Sequence, residues 1–254
     1  FNAVQTKGKH MNLTQKIIGS HLVSGTMTPG SEIGLRIDQT LTQDATGTMA
    51  YLEFESMGID RVKTKRSVAY IDHNTLQSGF ENADDHRYIQ TVAAKHGIWC
   101  SRPGNGICHQ VHLERFGVPG QTLIGSDSHT RYGALGTMGV GEGGPEIVKQ
   151  LLKNTYDIAA PQVVLVWLTG TPPHGVGPHD VAIALCGAVY GNGFAKNRIL
   201  EFAGPGVAHL PMDYRIGIDV MTTETACLSS IWQTDDAVAE YLTCLLYTSP
   251  SPRD

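Results

Sequence analysis

Four adjacent residues that can handle protons or anions follow an apolar segment in the middle of the chain. Asp127-Ser128-His129-Thr130 follows the segment 122–124, with Gly125-Ser126 between them. A carboxylate, two hydroxyls and an imidazole at one place can bind a polar substrate and transfer a proton to or from it. The same residue types are common helix N-caps, because their oxygens accept backbone N–H bonds. The segment alone leaves both interpretations open.

Two further carboxylates and two further histidines have suggestive surroundings. Asp72-His73 follows the apolar segment 67–71, and an aspartate beside a histidine can hold the imidazole protonated, as a general acid requires. His109, within G-I-C-H-Q, is more typical of a core histidine. Glu224 stands in an otherwise uncharged stretch, where an unpaired carboxylate is costly, so we expect it to be paired or functional.

Three local patterns allow other interpretations. Gln43-Asp44-Ala45-Thr46 opens a predicted helix, where capping and dipole stabilisation are sufficient explanations. The glycine-rich run 139–144 does not follow the dinucleotide-binding pattern, and its Glu142 would repel a pyrophosphate. Asp72-His73 together with Asp127-x-His129 also suggests a dinuclear metal hydrolase, in which carboxylates and imidazoles share two ions.

Alternating helices and strands are needed to bring these residues together. Hydrophobic periodicity predicts an α/β fold, with a helix over 40–57 whose buried face carries Leu41, Ala45, Met49 and Leu52. The other predicted helices cover 14–23, 75–97, 145–156, 179–190 and 235–242, and the predicted strands cover 33–37, 67–71, 97–100, 122–124, 162–169 and 197–203. Because side chains beyond the carboxyl ends of parallel strands share one crevice, we expect a single site.

Composition excludes several classes of protein. The 254 residues are 41% hydrophobic and 17% charged, with a formal net charge of -5, which argues against disorder and makes a nucleic-acid partner a poor fit. There is no apolar run of membrane-spanning length and no secretory signal pattern, so the sequence predicts a cytoplasmic protein without a membrane partner. The five cysteines form no C-x-x-C pair.

The sequence pattern changes near residue 160, where we predict a domain boundary. The two ends of the chain are also unusual. We interpret 1–10 as a non-native leader, since Met11 is a more natural start. We interpret 244–254, a Ser/Pro-rich ending that resembles translated sequencing adapter, as a non-native tail. The predicted domains are therefore 11–160 and an incomplete second domain, 161–243.

Taken together and in order, the motifs resemble those of the aconitase family of iron-sulfur hydro-lyases. The matching segments are Q-D-A-T at 43–46, D-H at 72–73, G-I-C-H-Q at 106–110 and I-G-S-D-S-H-T at 124–130, followed by F-A-G-P-G-V at 202–207 and M-T-T-E at 221–224. The resemblance extends from 11 to about 242. It implies three-layer α/β/α aconitase-like domains, truncated in this chain.

The resemblance also implies a reaction and roles for the candidate residues. The reaction is reversible dehydration and hydration of a hydroxy-tricarboxylic acid, citrate or isocitrate through cis-aconitate, with a [4Fe-4S] cluster as Lewis acid. Gln43 and Ser128 correspond to residues that hold substrate carboxylate. His73, kept charged by Asp72, corresponds to the acid that protonates the departing hydroxyl.

The remaining correspondences concern the centre of the site and what lies outside the chain. Asp127 and His109 correspond to residues that contact the hydroxyl and water bound by the iron, and His129 to one that pairs with Glu224. The family's cluster cysteines, proton-abstracting serine and carboxylate-clamping arginines fall downstream of residue 243. The resemblance thus implies that this chain alone holds no metal or cluster and does not turn over, and that its partners are missing C-terminal domains or a small subunit.

Two departures from the family pattern bear on the substrate. Val220 stands where family members often have Asn, and Arg131-Tyr132-Gly133-Ala134 replaces the usual P-x-G-G. Aconitate hydratase is the favoured activity, with homoaconitase and 3-isopropylmalate dehydratase as alternatives. A non-catalytic RNA-binding relative is an alternative of another class, and the net charge of -5 weighs against it.

Overall fold

The computed structural model describes residues 11–248 and shows a mixed α/β protein, which confirms the predicted fold class. The predicted leader, 1–10, and the last six residues of the predicted tail lie outside the described residues. The strands are β1 (Leu22–Gly25), β2 (Glu32–Leu35), β3 (Gln39–Thr42), β4 (Arg66–Tyr70), β5 (Trp99–Ser101), β6 (Thr122–Gly125), β7 (Met138–Gly141), β8 (Tyr156–Ala159), β9 (Val163–Trp167), β10 (Ile199–Ala203) and β11 (Ser229–Trp232).

The helices alternate with these strands along the chain. They are α1 (Leu13–His21), α2 (Asp44–Ser56), α3 (Glu81–His96), α4 (Cys108–Phe116), α5 (Gly144–Leu151), α6 (Pro178–Val189), α7 (Met212–Val220) and α8 (Asp236–Thr248), with 3-10 turns at Gly133–Leu135, Pro205–His209 and Met221–Thr225. Among residues 11–248, none of the helices has the length and apolar character that crossing a membrane requires.

A five-stranded parallel sheet in the order β5-β4-β3-β6-β7 forms the centre of the first half of the chain. Strands β3, β4, β6 and β7 are largely buried on both faces, whereas the edge strand β5 exposes Trp99. Along β4, Val68 and Tyr70 belong to one hydrophobic cluster, whereas Ala69 and Ile71 belong to another that includes residues of α2, α3 and α5. This alternation follows from the two-residue period of a strand, and it places the sheet as the middle of three layers.

A second parallel sheet, β11-β10-β9, is built from residues after 160, and a small antiparallel sheet, β1-β2-β8, lies before it in the chain. Polar contacts join the half of the chain before residue 160 to the half after it. The Glu201 carboxylate of β10 accepts the Thr14 N–H at the start of α1, at 2.9 Å, and the buried Asp219 carboxylate of α7 accepts the Ala134 N–H at 3.1 Å. The domain division near residue 160 stays a prediction.

The predicted helix over 40–57 is wrong in its first residues and in its buried face. Residues 39–42 form β3, and α2 begins only after Gln43. Met49 and Leu52, placed on the buried face by the prediction, are 68% and 55% exposed, whereas α2 buries Tyr51 and Phe54. The cause is that Leu41 belongs to the strand, so counting a helical period from it across the junction shifted the phase.

Several other elements were not predicted from the sequence, or were predicted with wrong ends. The glycine-rich stretch contains β7, although glycine is a poor strand former, and α4, α7 and β11 were not predicted. The predicted helix 145–156 ends at Leu151, and Tyr156 starts β8. The last helix continues to Thr248, beyond the predicted end at Leu242.

Candidate active site

The predicted site residues converge beyond the carboxyl ends of neighbouring strands, as the α/β pattern predicts. Gln43 follows β3, Asp72 and His73 follow β4, and Asp127 follows β6. Because β4, β3 and β6 are adjacent and parallel, their carboxyl ends lie at one edge of the sheet. His109 reaches the same edge from the first turn of α4.

The Asp127 carboxylate is the centre of the site, with three imidazoles around it. Its Oδ2 lies 3.2 Å from His73 Nε2, and its Oδ1 lies 3.1 Å from His109 Nε2 and 3.4 Å from His129 Nδ1. The hydrogen bond from His109 lowers the pKa of Asp127 well below its usual range, although partial burial opposes the shift. Asp127 is therefore ionised at any physiological pH.

Each of the three imidazoles has a second partner on its other ring nitrogen. His73 Nδ1 lies 3.0 Å from Asp72 Oδ1, and His129 Nε2 lies 3.2 Å from Glu224 Oε1. His109 Nδ1 lies 3.1 Å from the Tyr132 hydroxyl. Because both nitrogens of each ring are engaged, the orientation of all three rings is fixed.

His73 is surrounded by negative charge. Partial burial acts to lower its pKa, but the hydrogen bond with Asp72 and the charges of Asp72, Asp127 and Asp44 outweigh burial, so the pKa is raised. The other oxygen of Asp72 accepts the Cys108 N–H at 2.6 Å, at the start of α4. The raised pKa favours the protonated imidazole, which is the form that a proton donor needs.

Tyr132 is a site residue that the sequence analysis did not select. It is 1% exposed, and burial raises its pKa well above the usual value, so the phenol stays protonated. Its O–H can donate to His109 Nδ1, which leaves the ring proton of a neutral His109 on Nε2, facing Asp127. Tyr132 follows the D-S-H-T motif by two residues, but nothing in its sequence surroundings separates it from a core tyrosine.

The two predicted substrate-binding residues have structural roles as well. The Gln43 side-chain carbonyl accepts the Ala45 N–H and so caps α2, which leaves its NH2 group as a donor. Ser128 Oγ lies 3.3 Å from His129 Nδ1, and its backbone carbonyl accepts the Thr223 hydroxyl at 2.8 Å. Substrate contact by either residue stays a prediction.

The site lies open to solvent among the described residues. The side chains of His73, His129 and Glu224 are 31%, 38% and 52% exposed. Glu224 is paired, as expected, but it is not buried. It comes from the 3-10 turn Met221–Thr225, in the half of the chain that carries the second parallel sheet, so both halves contribute to the site.

Comparison with known proteins identifies the family. Residues 15–246 match the model of the family described as "Aconitase family (aconitate hydratase)". The chain belongs to the aconitase family. This finding confirms the resemblance drawn from the motifs, and it favours hydro-lyase chemistry over a dinuclear metal hydrolase.

Three similar proteins illustrate the range of the aconitase family. Mitochondrial aconitate hydratase of Schizosaccharomyces pombe is 33% identical over 247 residues, which cover 91% of this chain and 31% of that protein. The 3-isopropylmalate dehydratase large subunit of Acetivibrio thermocellus is 31% identical over 237 residues, covering 91% of this chain and 56% of that subunit. Mitochondrial homoaconitase of Yarrowia lipolytica is 31% identical over 259 residues, covering 97% of this chain and 37% of that protein.

Two conclusions follow for this member of the aconitase family. Its relatives are hydro-lyases, so it belongs to a lyase family, but the names of these relatives indicate different substrates. The chain spans between about a third and somewhat over half of the length of these three relatives.

The cysteines present do not fit the [4Fe-4S] cluster that the aconitase family implies. Such a cluster is held by several thiolates that converge on it. Within residues 11–248, the only group of three metal-ligating side chains within 4.8 Å of one another is Asp72, His73 and Cys108, which has a single thiol. Cys108 is fully buried, and burial together with the Asp72 charge raises its thiol pKa far above the usual value. The described residues therefore bring together no set of thiolates that could hold such a cluster.

A glycine of β7 makes room for the loop that carries Asp127 and Ser128. A Cβ on Gly141 would lie 2.5 Å from the Asp127 carbonyl oxygen and 2.7 Å from Ser128 Cα, both backbone atoms that cannot easily move. We expect Gly141→Ala to lower the free energy of unfolding by about 1–3 kcal/mol and to displace Asp127. Urea unfolding and the histidine ring NMR signals would measure the two effects.

Gly143 provides the matched control for this substitution. Its φ is -80°, and an added Cβ would meet nothing nearer than Pro145 Cδ at 3.9 Å. Gly143→Ala should leave both measurements close to wild type. Equal effects of the two substitutions would show that β7 does not set the position of the loop.

Proposed function

We propose that this chain forms the proton-handling and carboxylate-binding part of a hydro-lyase that interconverts hydroxy-tricarboxylic acids. The favoured reaction is dehydration of citrate or isocitrate to cis-aconitate and its reversal. The observation that carries the proposal is the ring of three oriented imidazoles around the ionised Asp127, with His73 held charged by Asp72. Membership of the aconitase family supports it.

In the dehydration direction, His73 supplies the proton that the leaving hydroxyl needs. The proton on His73 Nε2 faces Asp127 Oδ2 in the free protein, at 3.2 Å. A substrate hydroxyl entering between them can accept this proton and leave as water, and Asp72 stabilises the imidazolium until the transfer occurs. In the hydration direction, His73 takes the proton back from water.

Asp127 and His109 orient the same hydroxyl. Asp127 Oδ1 accepts from His109 Nε2 and from the His129 N–H, so the carboxylate is fixed in place. Its Oδ2, which faces His73, is then the acceptor toward which the hydroxyl can point. His129, held by Glu224, places Ser128 beside the same carboxylate, where its hydroxyl can donate to a substrate carboxylate. The Gln43 NH2 group is the second such donor.

In this proposal, the base that removes the substrate proton lies outside the described residues. Breaking the C–H bond needs a base, and the family resemblance places that base and the clamping arginines in further domains or a small subunit. The exposure of His73, His129 and Glu224 supports this arrangement, because a hydro-lyase must exclude bulk water from its substrate. The cofactor proposed for the complete enzyme is a [4Fe-4S] cluster, held by cysteines outside this chain.

Recognition of the substrate hydroxyl tests the proposed function directly. We expect citrate, at millimolar concentration, to shift the ring NMR signals of His73 and His109 but not those of the exposed His179 of α6. Tricarballylate, which has the three carboxylates without the hydroxyl, should bind more weakly, because Asp127 and His109 are left without that partner. Homocitrate and 3-isopropylmalate in the same titration would rank the alternative substrates.

A substitution separates specific from general anion binding. Ser128→Ala should weaken citrate binding about 10- to 100-fold, since a hydrogen bond to a charged group is lost, whereas Ser20→Ala on α1 should not change it. Equal binding of citrate and tricarballylate, or equal shifts at His179, would contradict the proposal.

A further inference from the structure

A buried carboxylate beneath the site holds the backbone of the loop that carries His73. Asp44, at the start of α2, is 1% exposed. Its Oδ1 accepts the N–H groups of Asp72 at 3.1 Å and His73 at 2.8 Å, and its Oδ2 accepts that of Asn74 at 3.0 Å. One side chain thus binds three consecutive backbone donors at the end of β4.

The same carboxylate has a fourth donor, from α3. His86 Nε2 lies 2.8 Å from Asp44 Oδ2, and His86 is itself buried. On its other side, His86 Nδ1 lies 3.3 Å from the side-chain nitrogen of Gln77, so Nδ1 accepts and the ring proton is on Nε2. Gln77 belongs to the segment that follows His73, so Asp44 and His86 hold this segment at two places.

Asp44 stays ionised in this environment. Burial acts to raise its pKa, but the hydrogen bonds from the backbone of residues 72–74 and from His86 outweigh burial and lower it. Its position at the N-terminus of α2 also favours a negative charge. A capping role alone does not explain these contacts, because the N-cap of α2 is Gln43, and all four donors to Asp44 come from outside α2.

We propose that Asp44, supported by His86, is the positioning residue of His73. By fixing the backbone of 72–74, it sets the His73 ring between Asp72 Oδ1 and Asp127 Oδ2. The inference rests on the proposed function only for what His73 does to a substrate. The position and charge of His73 can be measured without one.

Three carboxylates from three different parts of the fold face His73, and the charge of each can be removed by its own substitution. Asp72 and Asp127 contact its ring directly, and Asp44 acts from the base of α2. The Cys108 thiol of α4 also lies nearby, but burial keeps it neutral. Removing the charge of Asp44 alone should therefore lower the pKa of His73 while both direct contacts remain available.

The variant Asp44→Asn in the full 254-residue chain tests the proposal by NMR. Amide exchange at Asp72, His73 and Asn74 should become about 10- to 100-fold faster, because their charged acceptor is lost, and the His73 ring should titrate at lower pH than in wild type. The matched control is Asp38→Asn, which removes another largely buried carboxylate with a histidine partner, His21 at 2.8 Å, remote from this loop. Asp38→Asn should leave the titration of His73 unchanged.

Two substitutions of His86 keep the test valid if Asp44→Asn does not fold. His86→Leu removes one donor to Asp44 and should raise the pKa of Asp44 and accelerate exchange at 72–74 by a smaller factor. His86→Gln, whose amide can donate, should restore both toward wild type. The proposal is overturned if Asp44→Asn leaves exchange and titration unchanged, if Asp38→Asn reproduces its effects, or if the two His86 variants behave alike. Failure of citrate binding would overturn the proposed function but not this inference.

Discussion

Replacing Asp235 with asparagine is expected to lower the free energy of unfolding by about 3–5 kcal/mol, because it leaves a buried guanidinium without its anion. Arg215 of α7 is fully buried. Its Nη1 and Nη2 donate to the two oxygens of Asp235 at 2.8 and 2.7 Å. The hydrogen bond from Arg215 lowers the pKa of Asp235, so the pair is ionised at neutral pH.

The Arg215 guanidinium cannot turn toward solvent when Asp235 is replaced. Its Nε donates to the Leu210 carbonyl and its Nη2 to the Val207 carbonyl, both at 3.0 Å, so it is fixed on the far side as well. Asn also keeps the ability to cap the start of α8, where Asp235 accepts from the Val238 N–H. The substitution therefore isolates the loss of charge.

Urea unfolding followed by circular dichroism would measure this loss. Asp213→Asn is the control, since Asp213 is an exposed carboxylate in the first turn of α7, and we expect a change below about 0.5 kcal/mol. The double variant Arg215→Met with Asp235→Asn should be more stable than Asp235→Asn alone, because no unpaired charge remains. Indistinguishable midpoints for the Asp235 and Asp213 variants would refute the argument.

A buried neutral histidine should make the protein lose stability as the pH falls below 6.5. His112 of α4 is fully buried, with Nδ1 3.0 Å from the Tyr70 hydroxyl and Nε2 3.0 Å from Gln39 Oε1. Burial, together with the charges of Arg66 and His109, lowers the pKa of His112 to about 3. Between pH 6.5 and 3 the unfolded chain therefore binds a proton that the folded protein does not, so stability decreases as the pH falls.

When the unfolded chain binds one more proton than the folded protein, the free energy of unfolding changes by about 1.4 kcal/mol per pH unit. Over the whole window, from the unfolded value of 6.5 to about 3, it amounts to about 4–5 kcal/mol. Unfolding free energies of wild type and His112→Gln across this range would show it as a steeper slope in wild type. Acidic residues contribute equally to both proteins, and His179→Gln serves as the exposed control. Parallel pH profiles of wild type and His112→Gln would show that His112 is not kept neutral.

Some elements of the fold could be predicted from their own residues, and others could not. Buried strands such as β4 and β6 were predicted because each has consecutive apolar residues and is followed by a polar motif. The junction between β3 and α2 was misplaced, since only Gln43 separates the strand from the helix and no glycine or proline marks the junction. β7 was missed because glycine there serves a neighbouring loop, at Asp127 and Ser128, and a single sequence does not show such a neighbour.

The sequence by itself determined the family, the α/β class and the main residues of the site, because these depend on residue types and spacings that are local along the chain. Asp127 and His73 could be selected from their own segments, whereas His109 was selected only through the family resemblance. Only the tertiary structure decided how they are arranged: which nitrogen faces Asp127, that Tyr132 orients His109, and that Asp44 and His86 hold the loop of His73. The physical reason is that each of these contacts joins residues from different strands and helices, and the charge and position of a side chain depend on the groups that folding brings against it.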